Sequence, residues 1–438
     1  MTEGTAIKLG FSGFIGASVL VCALACATNA HAIALTLSGE DGSGVTASSQ
    51  ALWASDSSGV SVLITEVGLP APSGESFTEV GVPSMMPDGR VLFGAESRGK
   101  DGKTHWEIYY GNPDAPPVNR VRAAFELKHG GACDPLLSGD PYPIADSNGM
   151  IAFMSHTADK RDSLVTYANG VASCLARAGD KTNQGSRIAV LAFGSPQMGA
   201  NGELVFDAWL ADPNPAVSEH RQALLIASAK RGITELAVEG NAGPNNTRYE
   251  RPFGLPSAIA SPDGTMVAFT SRTPSGAALF LYRNGSMTRL LPTGVVTTIG
   301  PVSFLSPGRP GLMTDGTTAV LAGCARIPAI FKLAQQLGHE HSPSALLDLS
   351  MERGQLTPFG SELESLGDPI MTASGAMFVG ATDTEGRERL YVLDGYGAFF
   401  EVGGQVIYRI AYGAHEHSIF TGTLSVNQHG DFTYLGGK

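Results

Sequence analysis

A turn that ends in glycine and runs straight into a short apolar strand recurs seven times along the 438-residue chain. The copies are MPDGRVLF at Gly89, DSNGMIAF at Gly149, GANGELVF at Gly202, SPDGTMVAF at Gly264, MTDGTTAVL at Gly316, TASGAMFV at Gly375 and NQHGDFTY at Gly430. Asn-Gly and Asp-Gly supply the positive-φ residues of a tight hairpin turn, so each copy reads as two strands joined by that turn. A second element alternates with the first: ITEVG at Gly68, ELKHG at Gly130, LARAG at Gly179, LAVEG at Gly240, LLPTG at Gly294, LTPFG at Gly360 and FEVGG at Gly403. Runs such as WEIYYG, SLVTYANG and ALFLYRNG lie between them, which makes one unit four short antiparallel strands. Seven such units in series predict an all-β, seven-bladed β-propeller of four-stranded antiparallel blades. The chain opens on strands of the third and fourth kind (ALWA, VSVLITEVG) and ends on the first and second (LSVNQHGDFTYLG). The N- and C-terminal strands are therefore expected to share one blade and close the ring, which leaves no free sheet edge.

Composition suits that architecture. The 55 Gly, 26 Pro and 16% charged residues fit a loop-rich β protein better than a helical bundle. A formal net charge of -12 argues against binding nucleic acid, whose phosphates are met with an excess of Lys and Arg. Residues 1–32 read as a signal peptide, with Lys8, a long apolar run and the small-residue pattern Ala30-His31-Ala32 before the cleavage point. Residues 33–438 are then expected to form a single propeller domain, secreted or periplasmic and monomeric. A membrane-anchored form is the alternative, because the apolar run is nearly long enough to span a bilayer. Export permits a disulfide; Cys133 and Cys174 flank one repeat unit and are the expected pair, with Cys324 the odd thiol.

The units of the DSNGMIAF kind, with LARAGD at Gly179, resemble the NxxGxxxF tandem repeats of exported bacterial proteins, and SPDGTMVAFTSR is similar to the TolB-type propeller repeat. These resemblances cover nearly all of the exported part and imply the fold, not an activity.

In such a fold the turns between strands one and two, and three and four, open on one face. The two-to-three loops and the blade connections open on the other, which is expected to carry the longer loops and the function. His129, His156 and His220 belong to that face by this count. Three residues past the strand-two Phe, successive blades place Glu96, His156, Trp209 and Arg272, with Arg98, Arg248, Tyr249 and Arg251 nearby. Arg98, Trp209, His220 and Arg248 are the expected substrate-binding residues for a polysaccharide or envelope glycan. The rival expectation is a non-catalytic module that presents its loops to a glycan or protein of the cell envelope.

One tetrapeptide occurs twice, as His339-Glu340-His341-Ser342 and His415-Glu416-His417-Ser418. His-x-His in an extended chain places both imidazoles on one side, where a single divalent ion (zinc, manganese or calcium) could meet them. PAIFKLAQQLG ahead of the first copy reads as a short helix from Pro328 to Gly338, an insertion in a two-to-three loop. The resulting Gln336-x-x-His339-x-His341 is similar to a metal-binding arrangement in oligogalacturonate lyases, and the His, Tyr and Arg of this face resemble those of ulvan lyases. Both resemblances imply cleavage of a uronate-containing polysaccharide by β-elimination, which needs a neutralised carboxylate, a base and an acid. Arg251 or Arg272 would neutralise, His129 or His156 would be the base and Tyr249 the acid. GxSxG, GxxxxGK and dinucleotide fingerprints are absent from the sequence.

Overall fold

The computed structural model describes residues 50–55, 61–125, 133, 135–146, 148–157, 159–192, 196–199, 202–211, 220–250, 258–261, 263–306, 308–324, 327–334, 347–357, 360–393, 399–401, 425–426 and 432–437. The blades belong to a compact unit of Gln50–Gly436. The expected signal peptide lies outside the described residues. Among the described residues, no helix is long and apolar enough to cross a membrane.

With 60% strand and 2% helix, the chain is an all-β propeller. Six complete blades follow one another, where seven were expected, each folded from a continuous stretch of chain. The second strands of the six blades are Val91–Arg98, Ile151–Thr157, Leu204–Ala211, Met266–Thr273, Thr318–Cys324 and Met377–Asp383. The chain ends form a separate four-stranded sheet in the order Ser61–Glu66, Gln50–Ser55, Phe432–Gly437, Ser425–Val426. The N- and C-terminal strands thus share one sheet as expected, and the count of six is that of the blades made of continuous chain.

Strand periodicity places the core between blades. Neighbouring residues on one second strand face opposite sides: Phe153 packs with Leu92 and Ile108 of the first blade, while Ala152 and Met154 pack with Leu204 and Phe206 of the third. Val205 in turn meets Val267 and Phe269 of the fourth blade. Both faces of every second strand are thus buried, which is why these strands read as continuous apolar runs in place of the alternation of a half-exposed sheet.

Each blade hands over to the next through a small hairpin. After the outermost strand, Gly68 N donates to Phe77 O and Phe77 N to Leu69 O, and the pattern repeats as Gly179–Ile188, Gly240–Tyr249 and Gly354–Leu363. These glycines take φ between +82° and +96°, a region costly for any side chain with a Cβ. In the fifth blade the hand-over glycine is Gly354, not Gly360 as the motif alignment expected. Gly360 closes the tip of the same hairpin by donating to Thr357 O.

The helix expected from Pro328 is not formed over its described residues, 328–334. Ile327–Leu333 is instead the third strand of the fifth blade, paired on one side with Thr318–Cys324 and on the other with Leu347–Glu352. Ile330 and Phe331 enter cores on opposite sides of the sheet, an arrangement only a strand provides. The segment after it therefore joins strands three and four, since Leu333 pairs with Leu347. That segment holds Gln336, His339 and His341, so their expected place in a two-to-three loop is corrected. The three residues themselves lie outside the described residues.

Cys133 and Cys174 form a disulfide with Cα atoms 5.4 Å apart. It ties the connection entering the second blade to that blade's outer strand, Val171–Arg177. Cys324 is a buried free thiol.

Candidate functional site

The innermost strand of most blades is broken in two. In the first blade Ser76–Val80 and Ser84–Met85 both pair with Val91–Arg98, and Gly81-Val82-Pro83 interrupts them. The same Gly-x-Pro recurs as Gly308-Arg309-Pro310 and Gly367-Asp368-Pro369, with Pro141-Tyr142-Pro143 as the variant in the second blade. Proline cannot donate to a ladder, so the strand breaks there and the central residue is released from pairing. The short inner segments touch one another in order round the axis: Ser84–Met85, Ile144–Ala145, Gln197–Met198, Ala258–Ala260, Gly311–Leu312 and Ile370–Met371. Val82, Tyr142, Arg309 and Asp368 consequently hold the same place in the strand break of their blades, in a ring of neighbouring inner segments.

Three charges from three blades influence one another electrostatically. Arg309 has protein on every side, yet part of its surface remains accessible. Burial pulls its guanidinium down to about 10, and Asp368 and then Asp207 oppose that shift. Asp207 is 9% exposed, and burial pushes its carboxyl up to about 7 against the attraction of Arg309. Among the described residues, Asp207 Oδ1 and Arg309 Nε are buried atoms without a hydrogen-bond partner. Asp368 is fixed: its Oδ1 accepts from Ser306 Oγ at 2.7 Å, and a Cβ on Gly308 would collide with its carboxylate. Asp140 reaches back in the same way to the first blade, accepting from Val82 N at 2.7 Å and Tyr142 N at 3.0 Å in space left by Gly81 and Gly94. Burial, helped by Glu79, pushes Asp140 up to about 7 against those two backbone donors.

Towards the two-to-three loops one register of the second strands recurs from blade to blade. The residue seven places after the turn glycine is Glu96, His156, Trp209, Gly323 and Thr382 in five blades, with Arg272 at the matching register of the fourth. Four of these are the sequence-predicted set, and the structure gives them equivalent register. Facing them on the inner strands are Glu79, Leu136, Val190, Phe304 and Ser365. Leu136, Val190 and Phe304 stay 40–44% exposed. The Phe304 ring fills the space where a Cβ on Gly323 would sit. His156 Nε2 lies 3.5 Å from Asp162 Oδ1.

The remaining predicted residues are dispersed. Arg98 and His220 are exposed at strand ends beside the two-to-three loops. Arg248 is also exposed, but its Nε donates to Gly240 O at 2.8 Å and so closes its own hand-over hairpin. Tyr249 is 3% exposed and packs edge-on against Phe280 at 5.3 Å. It holds the hand-over position of Phe77, Ile188 and Leu363, all core residues, and burial pushes its hydroxyl up to about 12. Its ring is thus part of the interblade core. His129, Arg251, Gln336, His339, His341, His415 and His417 lie outside the described residues. Among the described residues, no group of three or more His, Cys, Asp or Glu is placed to hold a metal ion.

A family of unknown function, DUF7453, matches residues 129–388, more than half of the chain. The protein belongs to this family. The DUF7453 span contains Asp140, Asp207, Arg309 and Asp368 but stops short of Glu79 and Glu96. No curated protein matches the sequence. Among solved structures the DUF7453 chain is similar to a puromycin-hydrolyzing peptidase of Mycobacterium tuberculosis, at 15% identity and TM-score 0.44 over 80% of this chain and 48% of the other. It is similar to a putative TolB of Agrobacterium tumefaciens, at 10% identity and TM-score 0.38 over 90% and 99%. A third is the Aleuria aurantia lectin, solved with α-methyl-L-fucoside, at 11% identity and TM-score 0.34 over 78% and 97%. The chain spans about half the length of the peptidase it matches.

Proposed function

We propose that the protein is an exported, monomeric binding propeller that takes a glycan chain, a polysaccharide or an envelope glycan, at the mouth of its axial channel. The observation that supports this is the shared register of partly exposed apolar residues (Leu136, Val190, Phe304) with Trp209, His156 and Arg272. A sugar presents an apolar C–H face and a rim of hydroxyls, and it is met by a flat aromatic surface flanked by side chains that donate and accept. Binding is favoured over β-elimination, since His156 and Arg272 remain available but Tyr249, the expected acid, lies in the core.

The test is isothermal titration of the purified protein with neutral and uronate-containing polysaccharides, alongside absorbance for an unsaturated product. Binding without product, weakened by Trp209→Ala, is the expected result. Product formation would replace the binding reading with the lyase one, and no binding to any polysaccharide would remove both.

A further inference from the structure

Resting on the glycan reading for its ligand class, we infer that a cleft between the third and fourth blades is a second sugar site, which takes one neutral hexose ring. The cleft is a cavity of about 170 Å³. Glu203 and Gly264 line it beside the one-to-two turns, and Arg231 with Asn284-Gly285 from the three-to-four turns, so it lies on the face opposite the two-to-three loops. Ile226 and Val267, both buried, and the half-buried Tyr282 ring supply its apolar lining.

Glu203 and Arg231 supply its charges. Arg231 Nη1 lies 3.2 Å from Glu203 Oε1, and the two side chains are 62% and 19% exposed, so solvent reaches both. A guanidinium has donors, and a carboxylate acceptor sites, beyond that one contact. Neighbouring hydroxyls of a sugar can therefore donate to Glu203 and accept from Arg231 while the C–H face of the ring lies against Tyr282. A uronate would meet the like charge of Glu203 and an amino sugar that of Arg231, so a neutral ring suits the pair. At about 170 Å³ the cavity is smaller than the roughly 300–1,000 Å³ of sites for larger ligands, and it takes one ring, not a length of chain. Its wall is preformed: Asn284 and Gly285, at φ 51° and 80°, make a tight two-residue hairpin turn.

The repeat shows that the fold does not require the cleft. Between the first and second blades larger side chains hold the corresponding positions. Tyr110 stands where Ile226 does, each paired with the residue before the strand-two Phe. Arg90 stands where Glu203 does, directly after the turn glycine, and its guanidinium lies 4.5 Å over the Tyr110 ring. Across the junction Tyr167 corresponds to Tyr282, each paired with the residue two before that Phe, and Phe125 stacks on Tyr167 at 4.0 Å. Ala237 stands where Phe125 does, two residues past the pairs Leu225–Glu235 and Tyr109–Ala123. Two aromatic rings are thus exchanged for Ile and Ala at the junction that holds the cavity.

The repeat also supplies a variant, Ile226→Tyr as in the first blade. Arg231→Ala, at an exposed position, is a second that leaves the core untouched and decides the matter if the first does not fold. Methyl glycosides of glucose, mannose and galactose, methyl glucuronide, methyl glucosaminide and a neutral pentasaccharide are titrated into the wild type, both cleft variants and Trp209→Ala, with thermal unfolding midpoints recorded. The expected result is binding of a neutral methyl glycoside by the wild type and Trp209→Ala alike, reduced at least tenfold in each folded cleft variant. Loss in Trp209→Ala with unchanged affinity in the cleft variants would overturn the cleft and leave the mouth reading standing, as would binding of the pentasaccharide but of no methyl glycoside. Tightest binding by the glucuronide or the glucosaminide would overturn the neutral-ring assignment. Methyl glycoside binding that the cleft variants lose, without any binding that depends on Trp209, would uphold the cleft and remove the mouth reading. Failure of every sugar to bind the wild type would overturn both.

Discussion

Asp140 and Asp368 do the same work in different blades. Each sits within a break of its inner strand, reaches back to the preceding blade and occupies room that Gly81 or Gly308 leaves open. Burial pushes the Asp140 carboxyl up to about 7, outweighing its two backbone donors. A folded-state value of about 7 lies above the ordinary carboxylate range, so the folded protein holds this proton more tightly than the unfolded chain. The stability contributed is complete below about pH 4 and lost as the pH rises through 7. Asp207 adds a change of the same sign. The unfolding midpoint is thus expected to fall between pH 5 and pH 8, and Asp140→Asn should remove part of that fall, about 2–4 °C. Differential scanning calorimetry across that range checks it; an unchanged slope in the variant would show that the Asp140 carboxyl is not desolvated. Tyr249 gives a prediction of another kind. As a core residue at a hand-over corner, its replacement by Ala should cost about 3–5 kcal/mol in denaturant unfolding, whereas Tyr249→Phe should leave polysaccharide binding unchanged.

At the scale of the element, what was legible followed the turn chemistry. The turns ending in glycine, Asp-Gly or Asn-Gly in five blades and Ser374-Gly375 in the sixth, marked the first and second strands, and counting from them placed Glu96, His156, Trp209 and Arg272 at equivalent register. Ile327–Leu333 was misread because Pro328 at its start and Gly338 beyond it imitate helix boundaries. The tertiary pairing of Ile330 and Phe331 into two cores overrode that local signal. Gly-x-Pro in the inner strands was the overlooked signal. It recurs at the same distance before the turn glycines, yet its meaning depends on the axis, which no local pattern reveals. Asp207 could not have been singled out, since only its burial beside Arg309 distinguishes it from any other strand aspartate. Two predictions follow from the elements themselves. Gly323→Ala should displace the Phe304 ring, whose nearest atom would lie 1.8 Å from the new Cβ, and weaken glycan binding more than it lowers the unfolding midpoint. Cys133→Ser should destabilise the second blade by about 2–4 kcal/mol, measured as a loss that reducing agent reproduces in the wild type and does not add to in the variant.

For the whole molecule, the four-strand unit repeated along the chain was enough to fix a propeller, because such sheets can bury both faces only against one another. The number of blades was not fixed in the same way, since the terminal motifs are shared between the two chain ends. Three partly exposed apolar residues, Leu136, Val190 and Phe304, share one register of the inner strands, and Asp207, Arg309 and Asp368 of three blades influence one another electrostatically. The most direct measurement is the affinity of wild-type protein and of Trp209→Ala with Phe304→Ala for a neutral oligosaccharide, by isothermal titration at pH 7. Binding by the wild type with at least a tenfold loss, about 1.4 kcal/mol, in the folded double variant is predicted. Equal affinity in the two proteins, or no binding by either, would contradict the account.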